Sequence, residues 1–201
     1  MMFALNENVQ HKIMASWQKM VSERIYIAVA ENPRNSKYNL PDSGTIDDPL
    51  AQNSYHVGYV PKKVDDKAPT IEAKTHFRKI FEGKTHTIFE LELDTGRKNQ
   101  IRAHLASKHY PLAGDRNYRS ETDPFGRLAL HARTLAFTHP VTGEKMDFEV
   151  KEPVEWRIFV ENAKKERRDE KKSQEKISFE KIPSRKTIRK MDFISRGKKG
   201  F

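Results

Sequence analysis

One stretch of the chain joins a strand to a helix through a glycine turn, and it reads Leu91-Glu92-Leu93-Asp94-Thr95-Gly96-Arg97-Lys98-Asn99-Gln100-Ile101-Arg102-Ala103-His104-Leu105. Side chains alternate between two faces from residue 87 to residue 93, which is the period-two pattern of a β-strand. Beyond Gly96, the apolar residues Ile101 and Leu105 repeat at helical spacing. A neighbouring surface of that helix carries three hydrogen-bond donors, Arg97, Gln100 and His104. Such a cluster indicates an active-site wall, and a solvated face over a small core is the alternative.

The flanking sequence predicts an α+β fold with a mixed, largely antiparallel β-sheet and flanking helices. Strands are expected at residues 24–30, 74–81, 87–93, 133–138 and 145–150, with hairpins through 82–84 and 140–143. Residues 31–72 are rich in Pro, Gly, Asn and Asp and are interpreted as connections with short hairpin strands. Two apolar stripes predict helices that pack on the core, with Val9, Ile13, Trp17 and Met20 in residues 7–21 and Trp156, Phe159 and Val160 after Pro153.

Two sets of side chains alternate along the first predicted strand, Ile25, Ile27 and Val29 on one face and Arg24, Tyr26 and Ala28 on the other. The first set is uniformly apolar and β-branched, which is typical of a strand face that packs on a core. We therefore expect Tyr26 to leave the core and face a groove.

The positive charge of the chain is concentrated at its end. Residues 161–201 hold 15 Lys or Arg and 7 Asp or Glu, a net charge of +8, which leaves +2 for the first 160 residues. We therefore predict a domain over residues 1–160 and a basic, partly helical to disordered tail over residues 161–201. Such a tail attracts RNA phosphates in a salt-dependent way, and a simple solubility tail is the alternative.

Several classes of site have no signal in the sequence. The chain contains no cysteine, which removes disulfides and thiolate metal sites and fits a reducing cytoplasm. Its eight histidines show no helical metal-binding spacing, and its glycines form no phosphate-binding fingerprint. No apolar run approaches the roughly 18 residues of a membrane span. We expect a soluble cytoplasmic protein with no metal and no cofactor.

The stretch from Thr95 to Leu105 resembles the late motif of the RluA-type pseudouridine synthases, Thr-Gly-Arg-Thr-His-Gln-Ile-Arg-Val-His-Leu. In this chain Lys98-Asn99 replaces Thr-His, and Ala103 replaces Val. Four further blocks resemble family motifs in the right order, Arg24–Ala28, Gly44–Leu50, Pro111–Asp115 followed by Tyr118, and Arg127–Ala132 followed by Phe137–Glu144. The resemblance runs from about Met1 to Phe159, and the order of five blocks argues against chance agreement.

The resemblance implies the catalytic-domain fold of that family and the isomerisation of uridine to pseudouridine in ribosomal or transfer RNA. Arg102 matches the arginine that pairs with the family's nucleophilic aspartate, and Tyr26 matches the tyrosine that stacks beneath the base. Leu128 matches an apolar residue that lines the pocket. The motif positions with no separate role assigned are expected to contact phosphates or neighbouring nucleotides, and they are Arg97, Gln100 and His104.

Each matched residue also has an ordinary structural interpretation. The alternatives are a surface helix arginine for Arg102, a plain strand tyrosine for Tyr26 and a core leucine for Leu128. The replacement of Thr-His by Lys98-Asn99 changes the start of the helix rather than the reaction, and Asn99 is expected to cap that helix.

The family's nucleophilic aspartate lies in a His-Arg-Leu-Asp-x-x-Thr-Ser-Gly-Leu motif, which precedes a segment that resembles residues 1–5. The 201 residues contain no such motif, and we interpret the chain as the C-terminal part of a longer catalytic domain. Asp42 follows Tyr26 in a connection where Pro-Asp-Ser-Gly favours a turn. We therefore expect the isolated chain to be inactive, and a shortened sheet to expose an edge.

Two functions remain at this stage. The first is an RNA pseudouridine synthase, and the second is a non-catalytic RNA-binding remnant. A general basic protein of the ribosome would need no cluster at residues 97–104. The expected partner is ribosomal or transfer RNA, and we expect neither a membrane nor a metal. The chain is expected to be a monomer, which a separate N-terminal fragment would complement. The sequence identifies neither the target RNA nor its uridine.

Overall fold

A six-stranded sheet organises the computed structural model, which describes residues 4–53, 57–61 and 68–162. The strands are β1 (Val21–Glu31), β2 (Ser43–Ile46), β3 (Ala51–Gln52), β4 (Gly58–Tyr59), β5 (Thr75–Glu82), β6 (His86–Leu93), β7 (Leu130–Thr138) and β8 (Lys145–Glu149). The large sheet has the order β2-β5-β6-β1-β7-β8, while β3 and β4 pair separately. Every strand pairing among the described residues is antiparallel.

In the described ranges three α-helices accompany the sheet, α1 (Glu7–Met20), α2 (Gln100–Ser107) and α3 (residues 154–162). Two short 3-10 helices lie at Ser36–Tyr38 and Arg116–Tyr118. The predicted α+β fold is therefore confirmed, including both hairpins and the closing helix. None of the helices in the described ranges combines the length and the apolar character that a membrane crossing requires.

Strand β1 lies at the centre of the sheet and is covered on both faces. Ile27 and Val29 pack into a core that includes residues of α3, whereas Ala28 and Ala30 pack into a second core that includes Ile101 of α2. The face that carries Tyr26 is therefore covered at the middle of the strand as well, while Tyr26 itself is only half-buried. Alternation within one strand cannot show that a helix from elsewhere in the chain covers the second face.

Helix α1 begins at Asn6, whose side chain accepts a hydrogen bond from the backbone of Val9 at 3.0 Å. Of its apolar stripe, Met20 is buried, but Val9, Ile13 and Trp17 are only half-buried. The core packing predicted for this stripe is thus complete only at the C-terminal end of the helix.

Helix α3 packs on the sheet more completely than α1 does. In α3, Trp156 and Val160 are buried, and Val160 lies against the turn between β5 and β6. A Cβ atom at Gly83 in that turn would lie 2.6 Å from the Val160 side chain, so the close approach requires glycine. The predicted division at residue 160 stays a prediction, since residues 163–201 lie outside the described ranges.

Candidate active site

The first turn of α2 is joined to the sheet through the side chain of Gln100, which is 2% exposed. Its carbonyl oxygen accepts hydrogen bonds from the Thr95 hydroxyl at 2.8 Å and from the Arg97 backbone at 3.0 Å. Its amide nitrogen donates to the Lys74 carbonyl and to the Thr75 hydroxyl, both at 2.9 Å. Gln100 therefore fixes the glycine turn, the helix and β5 in one arrangement.

His104 lies one turn further along α2 and is fully buried. Its Nε2 atom is 2.9 Å from the Asp48 carbonyl oxygen, and its Nδ1 atom is 2.9 Å from the Thr75 hydroxyl. A carbonyl can only accept, so these partners assign the proton to Nε2 and leave Nδ1 to accept from Thr75. Burial lowers the pKa of His104, which agrees with a neutral ring.

The predicted contact of Gln100 and His104 with RNA is not favoured by this geometry. Both side chains are buried, and their polar atoms are bonded to the protein, so they hold α2 in position instead. Arg97 is the member of the predicted cluster that stays exposed, with its Nε atom donating to the Glu72 carbonyl at 3.0 Å. Sequence spacing placed the three residues on neighbouring positions, but two of them face inward.

Arg102 projects from α2 into a different environment. Its Nε and Nη2 atoms each lie 2.7 Å from a carboxylate oxygen of Asp115, a bidentate pair. Its Nη1 atom donates to the Asn99 side chain at 2.8 Å, and its guanidinium lies 5.0 Å from the centre of the Tyr118 ring. The Asp115 side chain is 1% exposed and that of Arg102 is 18% exposed. The hydrogen bonds that Arg102 donates to Asp115 raise the pKa of Arg102 above its ordinary value.

The predicted cap of α2 is wrong in one respect. Asn99 occupies the N-cap position, but its side chain makes no capping hydrogen bond. Its backbone is left-handed, with φ of 60°, and its side chain accepts from Arg102 instead. The polar residue at this position therefore orients the arginine rather than satisfying the backbone of the helix.

Asp115 is a site residue that the sequence reasoning did not single out. It follows Gly114, whose φ of 78° belongs to the left-handed region and whose Cβ, if present, would lie 2.4 Å from the Arg127 carbonyl oxygen. Only glycine fits that approach, and the turn it makes directs Asp115 toward Arg102. The signal was the Gly-Asp pair in the block at residues 111–115, where a required glycine precedes a carboxylate.

Tyr26 and Leu128 are half-buried and pack against the core that contains Ile101 and Leu105 of α2. Tyr26 also lines an open cavity of about 450 Å³ together with Trp17, Arg24 and Phe137 among others. Arg24 connects this cavity to the motif turn, because its Nη2 donates to the Leu93 carbonyl at 2.9 Å. Arg102 is not one of the described residues that line this cavity, so the cavity does not bring Tyr26 and Arg102 together.

The sequence profile of the family described as RNA pseudouridylate synthase matches residues 1–107, which is more than half of the chain. The chain belongs to this family. The match contains Tyr26, the glycine turn and Arg102, while Asp115 and Leu128 lie beyond it. The family resemblance seen in the motifs is therefore confirmed.

Individual pseudouridine synthases support the same assignment. The chain is 37% identical over 130 residues to the uncharacterized RNA pseudouridine synthase YlyB of Bacillus subtilis, covering 62% of this chain and 40% of the relative. It is 32% identical over 153 residues to the ribosomal large subunit pseudouridine synthase D of Haemophilus influenzae, covering 69% and 44%. The chain thus spans less than half the length of these relatives.

A solved structure supports the fold of the pseudouridine synthase domain. The human RNA pseudouridylate synthase domain containing 1 superposes with a TM-score of 0.61 at 20% sequence identity, covering 75% of this chain and 62% of the human chain. At that identity the likeness concerns the fold, which is the antiparallel sheet with the helices described above.

Proposed function

We propose that this chain takes part in the isomerisation of uridine to pseudouridine in ribosomal or transfer RNA in the cytoplasm. The proposal is supported by family membership, and one relative is named for the large ribosomal subunit. The net charge of +10 favours a polyanionic partner. We expect the chain to act as a monomer on RNA.

The observation that carries the proposal is the unused capacity of Arg102. A guanidinium has five N–H donors, and three are engaged by Asp115 and Asn99. The remaining two belong to the terminal nitrogens Nη1 and Nη2. Since the side chain is part-exposed and three of its donors are already held, we infer that the other two bind a second carboxylate. The nucleophilic aspartate of the family is such a carboxylate.

The reaction assigns complementary work to the other residues. The target base must leave its stack before a carboxylate can reach the sugar carbon. The bond from that carbon to the base nitrogen N1 then breaks, the base turns, and its carbon C5 joins the sugar while the C5 hydrogen leaves as a proton. We assign Tyr26 to stacking on the base and Leu128 to the pocket wall. Arg97 is exposed and is assigned to phosphate contact.

Neither Asp115 nor Asp42 is suited to act as the nucleophile. Asp115 is buried with both oxygens on Arg102, so neither oxygen can attack a sugar carbon. Asp42 is exposed, and its carbonyl accepts from the Lys79 backbone at 2.7 Å in the connection that enters β2. We therefore predict that residues 1–201 alone bind RNA without turnover. This is also the expectation for the alternative, a non-catalytic RNA-binding protein.

Tritium release from RNA labelled at uridine C5 tests the proposal, because every turnover frees the C5 hydrogen. We expect no release from purified residues 1–201, and release once a peptide carrying His-Arg-Leu-Asp-x-x-Thr-Ser-Gly is supplied in trans or fused in frame. RNA containing 5-fluorouridine should form a covalent adduct only when that peptide is supplied. An Arg102→Met chain, which cannot orient the supplied carboxylate, is the matched control.

Two results would contradict the proposal in different ways. Release by the unsupplemented chain would show that one of its own carboxylates is the nucleophile. Salt-dependent RNA binding with no release in any combination would favour the non-catalytic alternative. Translation of the DNA upstream of the Met1 codon, in the same frame, tests whether a peptide with this motif is encoded there.

A further inference from the structure

A second cavity, of about 520 Å³, lies at the C-terminal end of α2. Its walls come from the end of β1, the 3-10 helix Ser36–Tyr38, the last turn of α2 and the loop at residues 116–121. Tyr38, Ser107, His109, Tyr118 and Arg119 are among the residues that line it. None of them has a role in the reaction described above.

Two exposed aromatic rings lie close together in this cavity and are tilted relative to each other. The ring centres of Tyr38 and His109 are 3.9 Å apart, and their planes are inclined by 31°. Both side chains are exposed, and the Lys37 ammonium lies 4.7 Å from the centre of the Tyr38 ring. Exposed flat rings beside positive charge are the features with which proteins bind unstacked bases.

The backbone supplies an independent observation. Three non-glycine residues in the described ranges have a positive φ, Asn99 at 60°, His109 at 67° and Arg119 at 65°. Glycine is the least strained residue at such positions, including the position after a helix end that His109 occupies. Asn99 uses its side chain to orient Arg102, while His109 and Arg119 both line the cavity. A side chain at a backbone position that favours glycine indicates a function for that side chain.

The cavity adjoins the arginine of the candidate active site. The Tyr118 ring lies 5.0 Å from the Arg102 guanidinium and also lines the cavity. Ala106, another lining residue, follows Arg102 by one helical turn on the same side of α2. Tyr118 therefore links Arg102 to the cavity that contains the Tyr38–His109 ring pair.

The acidic side chains of the cavity are bonded to other protein groups, which leaves basic side chains to bind a phosphate. Glu31 uses one oxygen, Oε1, to accept four hydrogen bonds of 2.6 to 2.9 Å from residues 120–122. Glu121 pairs with Arg34 at 2.5 Å. Both carboxylates are thus engaged by the protein, whereas the Arg119 side chain lines the cavity and the Lys37 ammonium lies beside the Tyr38 ring.

We propose that this cavity binds an unstacked base of the nucleotide next to the target uridine. The base stacks on the exposed ring pair of Tyr38 and His109, and Arg119 and Lys37 contact its phosphate. The proposal rests on the proposed function, since it takes RNA as the substrate. It adds a base-binding subsite at the C-terminal end of α2.

Fluorescence anisotropy with a labelled single-stranded oligouridylate tests the subsite. We expect His109→Asn and His109→Gly each to weaken binding by about tenfold, the loss that one stacked base contributes. His109→Gly should keep or raise the melting temperature, because glycine suits the left-handed backbone. Tyr38→Ala should weaken binding similarly, and Tyr38→Phe, which keeps the ring, should restore it. Replacing the neighbouring base by an abasic site should remove the effect of these variants.

The salt dependence separates base from phosphate contacts. Arg119→Ala should lower the slope of log affinity against log salt by about one, while the ring variants leave that slope unchanged. His11→Asn, which removes an exposed histidine of α1, should change neither quantity. Unchanged affinity in His109→Asn and Tyr38→Ala beside normal binding by the natural chain would overturn the subsite alone. Failure of the natural chain to bind RNA would overturn the proposed function and the subsite together.

Discussion

Helix α2 has two sides that come from one sequence motif and differ in physical character. On the inner side, Gln100 and His104 are buried, and each polar atom of their side chains has a protein partner. On the outer side, Arg102 is paired with Asp115 but keeps donors and exposure for a further group. The polar residues of this motif therefore have two roles. Some fix the helix to the sheet, and others are available to bind a ligand.

The largest loss of stability should follow from removing Asp115, the carboxylate that pairs with Arg102 on the outer side. Asp115→Ala leaves the part-buried Arg102 guanidinium without its carboxylate, and we expect a loss of about 3 kcal/mol in the free energy of unfolding. Urea unfolding followed by circular dichroism measures it. Asp42→Ala, in an exposed turn, should change the same quantity by less than about 0.5 kcal/mol. A loss below about 1 kcal/mol at Asp115 would mean that solvent already supports Arg102.

A smaller loss is expected on the inner side. Thr75→Val keeps the shape of the side chain but removes the hydroxyl shared by Gln100 and His104, leaving the His104 Nδ1 atom unsatisfied. We expect the free energy of unfolding to fall by about 2 kcal/mol, with RNA affinity unchanged at temperatures where the protein is folded. Thr45→Val, at an exposed position of β2, is the matched control. A Thr75→Val chain that folds normally but binds RNA poorly would contradict the division between the two sides.

The pH dependence of stability should come mainly from buried histidines. Burial lowers the pKa of His104 and also that of His86, so the unfolded chain binds protons that the folded chain does not. Stability should therefore fall as the pH drops below about 6.5, by at most about 1.4 kcal/mol per pH unit for each histidine. Urea midpoints at pH 7.5 and 5.5 measure this, and His104→Gln should reduce the difference. An unchanged difference in His104→Gln would assign the effect to other groups.

The smallest effect on stability is expected at Asn99. Asn99→Gly removes one hydrogen bond to Arg102 but relieves a left-handed backbone, so the free energy of unfolding should change by less than about 1 kcal/mol. Adduct formation with 5-fluorouridine RNA in the supplemented reaction should fall more, because Arg102 is less firmly oriented. Asn99→Ala keeps the strain and should be the less stable of the two. Equal adduct yields in the natural chain and Asn99→Gly would show that Asp115 alone orients the arginine.

The elements that the sequence predicted well are those whose signal is local. Strands β5 and β6, their hairpin and helix α1 follow from alternation and helical spacing within about 15 residues. The burial of His104 could not be read in this way, because its partners Asp48 and Thr75 lie 56 and 29 residues away. The second core over β1 has the same cause, since Ile101 and Leu105 of α2, which pack on that face, lie about 70 residues further along the chain.

By itself, the sequence determined the family, the strand and helix pattern and the identity of Arg102 and Tyr26 as site candidates, because motifs and periodicity are properties of the chain. The tertiary structure decided which polar residues of the motif are free to meet a ligand. It buried Gln100 and His104, turned Asn99 away from its cap and brought Asp115 onto Arg102. Those outcomes depend on burial and on partners distant in sequence, and burial exists only after the chain has folded.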